Sequence, residues 1–555
     1  MISLAAVRRW TPAALGNGAR RPWLLLLPAV LGPVAETAAV ALVGPGDSAS
    51  LGPQLTALPP FDLFHDLRWI SVYNNSWWLL ALEIVAAIVF RALYIAWILR
   101  LVWPREQPPS IGAAAVRAAP FYAIAALLLA PSVALQFGAA LTHLSYLFFV
   151  GLPPALVIAL VIHRGALAQA AGRWFRWRPT AVTLAWTAGS FLWLSAAGAV
   201  ISVSPLPLGL VAAAAAGFMN AEGIARIALA VARADDRPPL RHQWLVPVAL
   251  TLVFAVVIGG TGLGFLGLAT RGHADHGSLL IPSRAHGRPV LVASGFDSSW
   301  RSRTSFRPPP GFVAWPYSYR GLANGRRVVP YDAAATLQPL TVSARQMARQ
   351  VDALYRAYRL PVAIVAESEG ALVARTYLTS LYEAGSGRVD LVVLLEMPVG
   401  ESSVSFPPPG GRGWGLGTGW ALRLLGKAIR VLGPLQLSAD APFFRDIAEC
   451  QGLLRAIVAD PPPAGVRQVA VAALADAAAR KWSVRLPRTR RFVVASAHGG
   501  LITDPDIQDL IANALTGKLP RRSVTRELLA EAITALSSPW QAPSLIRSLA
   551  DHRSC

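Results

Sequence analysis

Seven stretches of about 20 or more mostly apolar residues crowd the first 270 positions of this 555-residue chain. They lie at 23–44, 77–99, 119–140, 143–163, 179–202, 207–232 and 243–269. A helix of ~20 residues spans the hydrocarbon core of a bilayer, and a helix satisfies its own backbone polar groups there. Residues 1–270 therefore predict an α-helical membrane bundle of about seven spans. The first stretch is too long for a simple signal peptide and is followed by six more. The 207–232 stretch carries Asn220, Glu222 and Arg226, and also suits an amphipathic helix at the interface.

Arginine placement orients the bundle. Arg8, Arg9, Arg20 and Arg21 precede the first stretch, and Arg100, Arg105 and Arg117 follow the second. Arg164, Arg173, Arg176 and Arg178 follow the fourth, and Arg233, Arg237 and Arg241 follow the sixth. Of the alternate connections, 45–76 has only Arg68, and those near 141 and 204 have no Arg or Lys. Positive residues collect on the cytoplasmic side, so the N-terminus is expected in the cytoplasm and the second half of the chain outside it. Glu36, Glu83, Arg91, Glu222 and Arg226 fall inside the stretches. Such residues mark a pathway or pair locally, and the spacing of Glu222 and Arg226 permits an intrahelical pair.

Charged residues make up 15% of the chain against 54% hydrophobic, a deficit that excludes an ordinary soluble enzyme and a disordered chain. The net charge of +21 forms no basic stripe interleaved with aromatics, so nucleic acid is not an expected partner. The expected partner of the first half is the lipid bilayer. Two cysteines, Cys450 and Cys555, are too few for a disulfide framework or a thiolate metal site. His273, His276 and His286 lie in a polar linker, 271–287, with no acidic or cysteine partner at ligand spacing. No metal site is expected from these residues.

From residue 288 the texture changes to short β-rich runs alternating with amphipathic stretches, the pattern of a mostly parallel sheet with crossover helices. Strand-like runs begin RPVLVASGF at 288, FVAWPYSYRG at 312, PVAIVAESEG at 361, RVDLVVLLE at 388, VRQVAVAALAD at 466 and RRFVVASAHGG at 490. Within the third, AESEG at 366–370 has the small-x-Ser-x-Gly form of a turn from strand to helix. That turn lifts a serine hydroxyl clear of the strand end, with a helix N-terminus behind it to stabilise an oxyanion. A serine nucleophile needs a base, and the base an orienting acid. Ser368, Asp476 and His498 occur in the chain order expected for such a site. Glu396, at the end of the preceding strand, is the alternative acid. The backbone N–H groups of Phe296 and Glu369 are the expected oxyanion donors. The carboxylates of Glu367 and Glu369, which flank Ser368, are expected to raise the proton affinity of the histidine and to disfavour anionic substrates.

These segments together resemble the α/β-hydrolase family of the lipase and esterase type. VLVASGFDSS resembles the family's oxyanion segment, with Ser294 where a histidine is usual, and AESEGALVA resembles its nucleophile elbow, with Ala366 for the first glycine. ADAPFFRDIA resembles a helix of members with a lid-like insertion, and SAHGGLITDP the histidine turn. The resemblance implies an α/β-hydrolase domain over 288–518 with an insertion at about 401–465, followed by a helical tail, 519–555. It implies hydrolysis of carboxylic esters without a metal or organic cofactor, and beside a bilayer the expected substrate partner is a lipid or acyl ester. An acyltransferase using the same triad, or a transporter or sensor with a degenerate outer domain, are the alternatives.

Overall fold

A computed structural model of the chain describes residues 23–43, 46–59, 61–103, 108–138, 167–172, 181–232, 279–299, 306–398, 406–432, 438–475, 486–540 and 543. The first half is helical: α1 (Trp23–Val43), a 3-10 segment (Gly46–Thr56), α2 (Phe61–Tyr73), α3 (Trp77–Val102), α4 (Ile111–Gly138), α5 (Ala181–Val203) and α6 (Leu206–Ala232). Among the described residues three helices are long and apolar enough to cross a membrane: Leu24–Val43, Trp77–Val102 and Leu206–Val231. Of the seven expected spans, those at 23–44, 77–99 and 207–232 correspond to these three helices, and the full set of seven is not supported. Helices α4 and α5 contain shorter apolar stretches, Ile111–Leu127 and Gly189–Val203. The expected spans at 143–163 and 243–269 lie outside the described residues.

Residues 45–76, expected as a loop, are largely helical instead. The 3-10 segment and α2 fold back into the bundle, and Asp62, His65 and Arg68 are almost wholly buried there. Arg91, fifteenth in the 26-residue α3, bonds the carbonyl of Leu55 and the carboxylate of Asp66, so this segment reaches about half the depth of α3. Non-helical backbone is tolerated at such depth only where protein encloses it. Helix α6, the doubtful stretch of the sequence, is one of the three candidate spans and packs inside the bundle. Its Asn220 is buried, accepting from Trp193 Nε1 at 2.8 Å and donating to the Pro53 carbonyl at 3.0 Å. Its Glu222 and Arg226 form the i, i+4 pair at 2.6 Å.

The second half holds a six-stranded sheet in the order β3-β2-β6-β7-β8-β9, every neighbouring pair parallel. Its strands are β2 (Arg288–Ala293), β3 (Phe312–Pro316), β6 (Val362–Glu367), β7 (Val389–Leu395), β8 (Arg467–Ala475) and β9 (Thr489–Ala497). A small sheet joins β1 (Leu279–Leu280), β4 (Leu322–Ala323) and β5 (Arg327–Val328), so the end of the expected linker belongs to this unit. The central strands read as unbroken apolar runs because helices cover both faces. On one face lies α7 (Leu340–Tyr358), which buries Leu340, Ala344, Met347, Val351 and Leu354, one turn apart. Helix α8 (Glu369–Ser380) follows β6 directly. In the order along the sheet, β3 and β6 flank β2 on opposite sides, and a crevice opens at the carboxyl ends of strands where such an order reverses.

Two segments tie the halves together. The insertion carries α9 (Leu416–Leu432), α10 (Pro442–Glu449) and α11 (Gln451–Ala459). The N–H groups of Gly415 and Gly417 donate to the carbonyl and the side-chain oxygen of Asn74, at 2.8 and 2.9 Å. Thr418 donates to the Ser71 carbonyl at 2.8 Å. Asn74, just beyond α2, thus caps α9 from the other half of the chain. The tail is helical over α13 (Val524–Ser537), which follows α12 (Pro505–Thr516). Arg491 of β9 pairs with Glu531 of α13 at 3.2 Å. Beyond α13, Trp540 is buried against Phe61 and Phe191 and donates to Ser195 of α5 at 2.8 Å. The Pro539 carbonyl accepts from both Arg68 and Gln54 at 2.6 Å.

Candidate active site

Strand β6 ends at Glu367 and α8 starts at Glu369, leaving Ser368 to make the whole turn. It does so at φ 54° and ψ −121°, a backbone conformation that costs a non-glycine residue on the order of 1–3 kcal/mol. The Ser368 N–H donates to the Leu395 carbonyl at 2.8 Å, which fixes the strained turn against β7. Also at positive φ are Asp297, in the loop after β2, and Glu396, directly after β7. Two glycines make room. A Cβ at Gly295 would stand 2.7 Å from that of Ser368, and one at Gly370 would stand 2.7 Å from the Ala293 carbonyl oxygen.

Ser368 Oγ lies 3.0 Å from Nε2 of His498, which follows β9. Glu396, fully buried after β7, places a carboxylate oxygen 3.7 Å from Nδ1 of the same ring. That oxygen accepts the Gly499 N–H at 2.7 Å, so Glu396 also holds the histidine turn. Asp476, expected as the acid, lies outside the described residues. The four strand ends meet here because the sheet is parallel throughout and every loop after a strand emerges on one edge.

The Glu369 N–H is the first of α8, where helix geometry leaves donors without intrahelical acceptors. Phe296 follows Gly295, the glycine that packs on Ser368, so its N–H belongs to the same corner. Its loop is anchored by residues that sequence reasoning missed. Tyr319 donates to the Ser294 carbonyl at 2.8 Å, Asp297 N–H donates to Thr336 Oγ1 at 3.1 Å, and Ser298 bonds Tyr331 at 3.1 Å. The Phe296 ring lies 6.1 Å from Phe443 and 5.1 Å from Phe444 of α10, which gives the corner an aromatic wall from the insertion. The PFF run at 442–444 was its only sequence signal.

The two glutamates beside Ser368 serve different purposes. Glu367 accepts from the N–H groups of Leu501 and Ile502 at 2.5 and 3.4 Å and pins the turn after His498. Burial pushes its carboxyl up, while the N–H donors and His498 pull it down, for a net rise. Glu369 is fully buried, and both carboxyl oxygens lack a hydrogen-bond partner among the described residues. Burial pushes it well above the carboxylate range, so this carboxyl is neutral and adds no negative charge at the serine. The expected effect of two flanking charges is thus corrected to one at most. A carboxyl raised by burial stabilises the fold at low pH, and that contribution is lost as pH rises through its folded value. Glu369→Met accordingly raises stability at neutral pH by about 1–3 kcal/mol, the cost of an unsatisfied buried polar group. It also extends the alkaline limb of the stability curve, which thermal unfolding across a pH series checks.

No protein-family model matches the chain, and no curated protein does. Solved structures match part of it. One, the structure of a DcsB complex with its substrate analogue, is 12% identical, covers 43% of this chain and 92% of that chain, and has a TM-score of 0.27. RedJ with a PEG molecule bound in the active site is 20% identical, covers 42% of this chain and 94% of its own, and has a TM-score of 0.25. RedJ thioesterase from the prodiginine biosynthetic pathway in Streptomyces coelicolor is 21% identical, covers 46% and 93%, and has a TM-score of 0.24.

Proposed function

We propose that this chain is a membrane-anchored serine hydrolase of α/β-hydrolase type that cleaves carboxylic acyl esters through an acyl-enzyme. The observation that carries the reading is the 3.0 Å contact between Ser368 Oγ, on its strained turn, and His498 Nε2. His498 takes the serine proton as Oγ attacks the ester carbonyl. The N–H groups of Phe296 and Glu369 hold the oxyanion, and His498 returns the proton to the leaving alkoxide. Water, activated by the same imidazole, then releases the acid. Glu396, 3.7 Å from Nδ1, is the orienting carboxylate in this reading. Asp476, next after β8, is the rival for that role.

The bundle supports a bilayer-borne acyl ester as substrate. The insertion that presents Phe443 and Phe444 to the site is bonded to Ser71 and Asn74, beside the start of the candidate span at Trp77. With Arg68 buried, the 45–76 connection offers no exposed cation among its described residues, which supports an external side for this end of the bundle. The hydrolase domain docks at that end, so the reading places it outside the cytoplasm. The full chain in detergent, mixed with excess p-nitrophenyl ester, tests the function. A burst of nitrophenol near one per protein, followed by slower turnover, is the expected result. No release above the buffer rate would overturn the reading.

A further inference from the structure

A cluster of ionisable side chains is buried where the 3-10 segment and α2 fold back into the bundle. His65 Nε2 lies 2.7 Å from Glu36 of α1, and its Nδ1 lies 3.2 Å from Asp66. Arg91 of α3 grips Asp66 with two hydrogen bonds, at 2.6 and 2.5 Å, and stands 3.9 Å from Asp62. Tyr122 of α4 donates to Asp62 at 3.3 Å. Arg68 bonds Gln54 and the Pro539 carbonyl and faces Glu36. Tyr94 of α3 also faces Arg91 and Asp62. Among the described residues these are the charged and titratable groups that α1, α2, α3 and α4 turn toward the cluster, and Trp69 Nε1 stands 3.2 Å from His65 Nε2 and 3.1 Å from Glu36.

Both ring nitrogens of His65 face carboxylate oxygens, Nε2 that of Glu36 and Nδ1 that of Asp66. A carboxylate only accepts, so donating to both at once takes a proton on each ring nitrogen, and a buried carboxylate left without a donor is costly. The second proton makes His65 a two-sided cationic bridge between α1 and α2.

We propose that the Glu36–His65–Asp66 group is a proton-binding site whose occupancy governs how α2 holds the insertion. The link is direct: α2 carries His65 in its middle, while Ser71 and Asn74 at its end accept the bonds of Thr418, Gly415 and Gly417. From there Arg423 of α9 and Arg445 of α10 both pair with Asp440. Helix α10 carries Phe443 and Phe444 to Phe296. Below the titration the protonated bridge fixes α2, and α9 stays capped. As pH rises and the proton leaves, Glu36 and Asp66 repel, α2 loosens and α9 loses its cap.

The proposal deepens the ester-hydrolase reading by giving its site a regulator, but the test does not depend on catalysis. Hydrogen–deuterium exchange of the α9 peptide is followed in the full chain across a pH series, corrected for the intrinsic exchange rate. Wild-type protection is expected to fall about 5- to 150-fold through one step as pH rises, the usual span of a site-to-site coupling. His65→Gln should show the low protection at every pH. Glu36→Gln should show high protection at every pH, because an amide can bond Nε2 of either imidazole form and leaves no carboxylate there to repel Asp66. Should either variant fail to fold, the other decides. A flat wild-type profile, or a step of unchanged size and position in either variant, would overturn the proposal. Loss of ester hydrolysis in Ser368→Ala with the exchange step intact would leave this site standing whatever the substrate proves to be.

Discussion

Ser368→Ala lowers ester turnover by about 1000-fold or more and removes the nitrophenol burst, because no acyl-enzyme can form without the hydroxyl. The substitution leaves stability unchanged or slightly improved. Ser368 sits at φ 54°, a strain that alanine keeps, and its backbone bond to Leu395 does not involve the side chain. A rate retained within tenfold would mean that the 3.0 Å contact with His498 is structural. Thermal unfolding of both proteins separates lost chemistry from lost fold.

Glu396→Gln is the second large effect. The amide keeps the volume and can still accept from Gly499, but it offers no negative charge to an imidazolium 3.7 Å away. Loss of the orienting carboxylate of a serine triad costs up to about 10,000-fold in kcat. A fall of about 100-fold or more is therefore expected for Glu396→Gln, with Asp476→Asn within about tenfold of wild type. Most of the loss falls on kcat, since Glu396 acts through the imidazole of His498. The reverse pattern would move the role to Asp476 and leave Glu396 as the brace of the histidine turn.

The chain states its sheet openly and its junctions poorly. The segment PVAIVAESEGALVARTYLTSLYEAG reads as strand, turn and helix, and resolves into Val362–Glu367, Ser368 and Glu369–Ser380. It is legible because a strand buried on both faces needs an unbroken apolar run and the turn needs small residues. The 45–76 segment is not legible. Its Asp62, His65, Asp66 and Arg68 look solvated until Glu36 and Arg91, distant in sequence, supply their partners. Capping of α9 by Asn74 is equally hidden, since the two meet across 343 positions. The choice between Asp476 and Glu396 is open in the sequence for a simple reason. Both close a parallel strand, and the sequence alone does not say which carboxylate reaches the imidazole.

The central claim is that Ser368 is activated by His498, and covalent capture tests it most directly. Membranes holding the full chain are treated with a fluorophosphonate, digested and mapped by mass spectrometry. The account predicts one phosphonylated residue, Ser368, with labelling lost in Ser368→Ala and slowed about 1000-fold or more in His498→Ala. Absence of an adduct on well-folded wild-type protein, or an adduct on another serine, would contradict it.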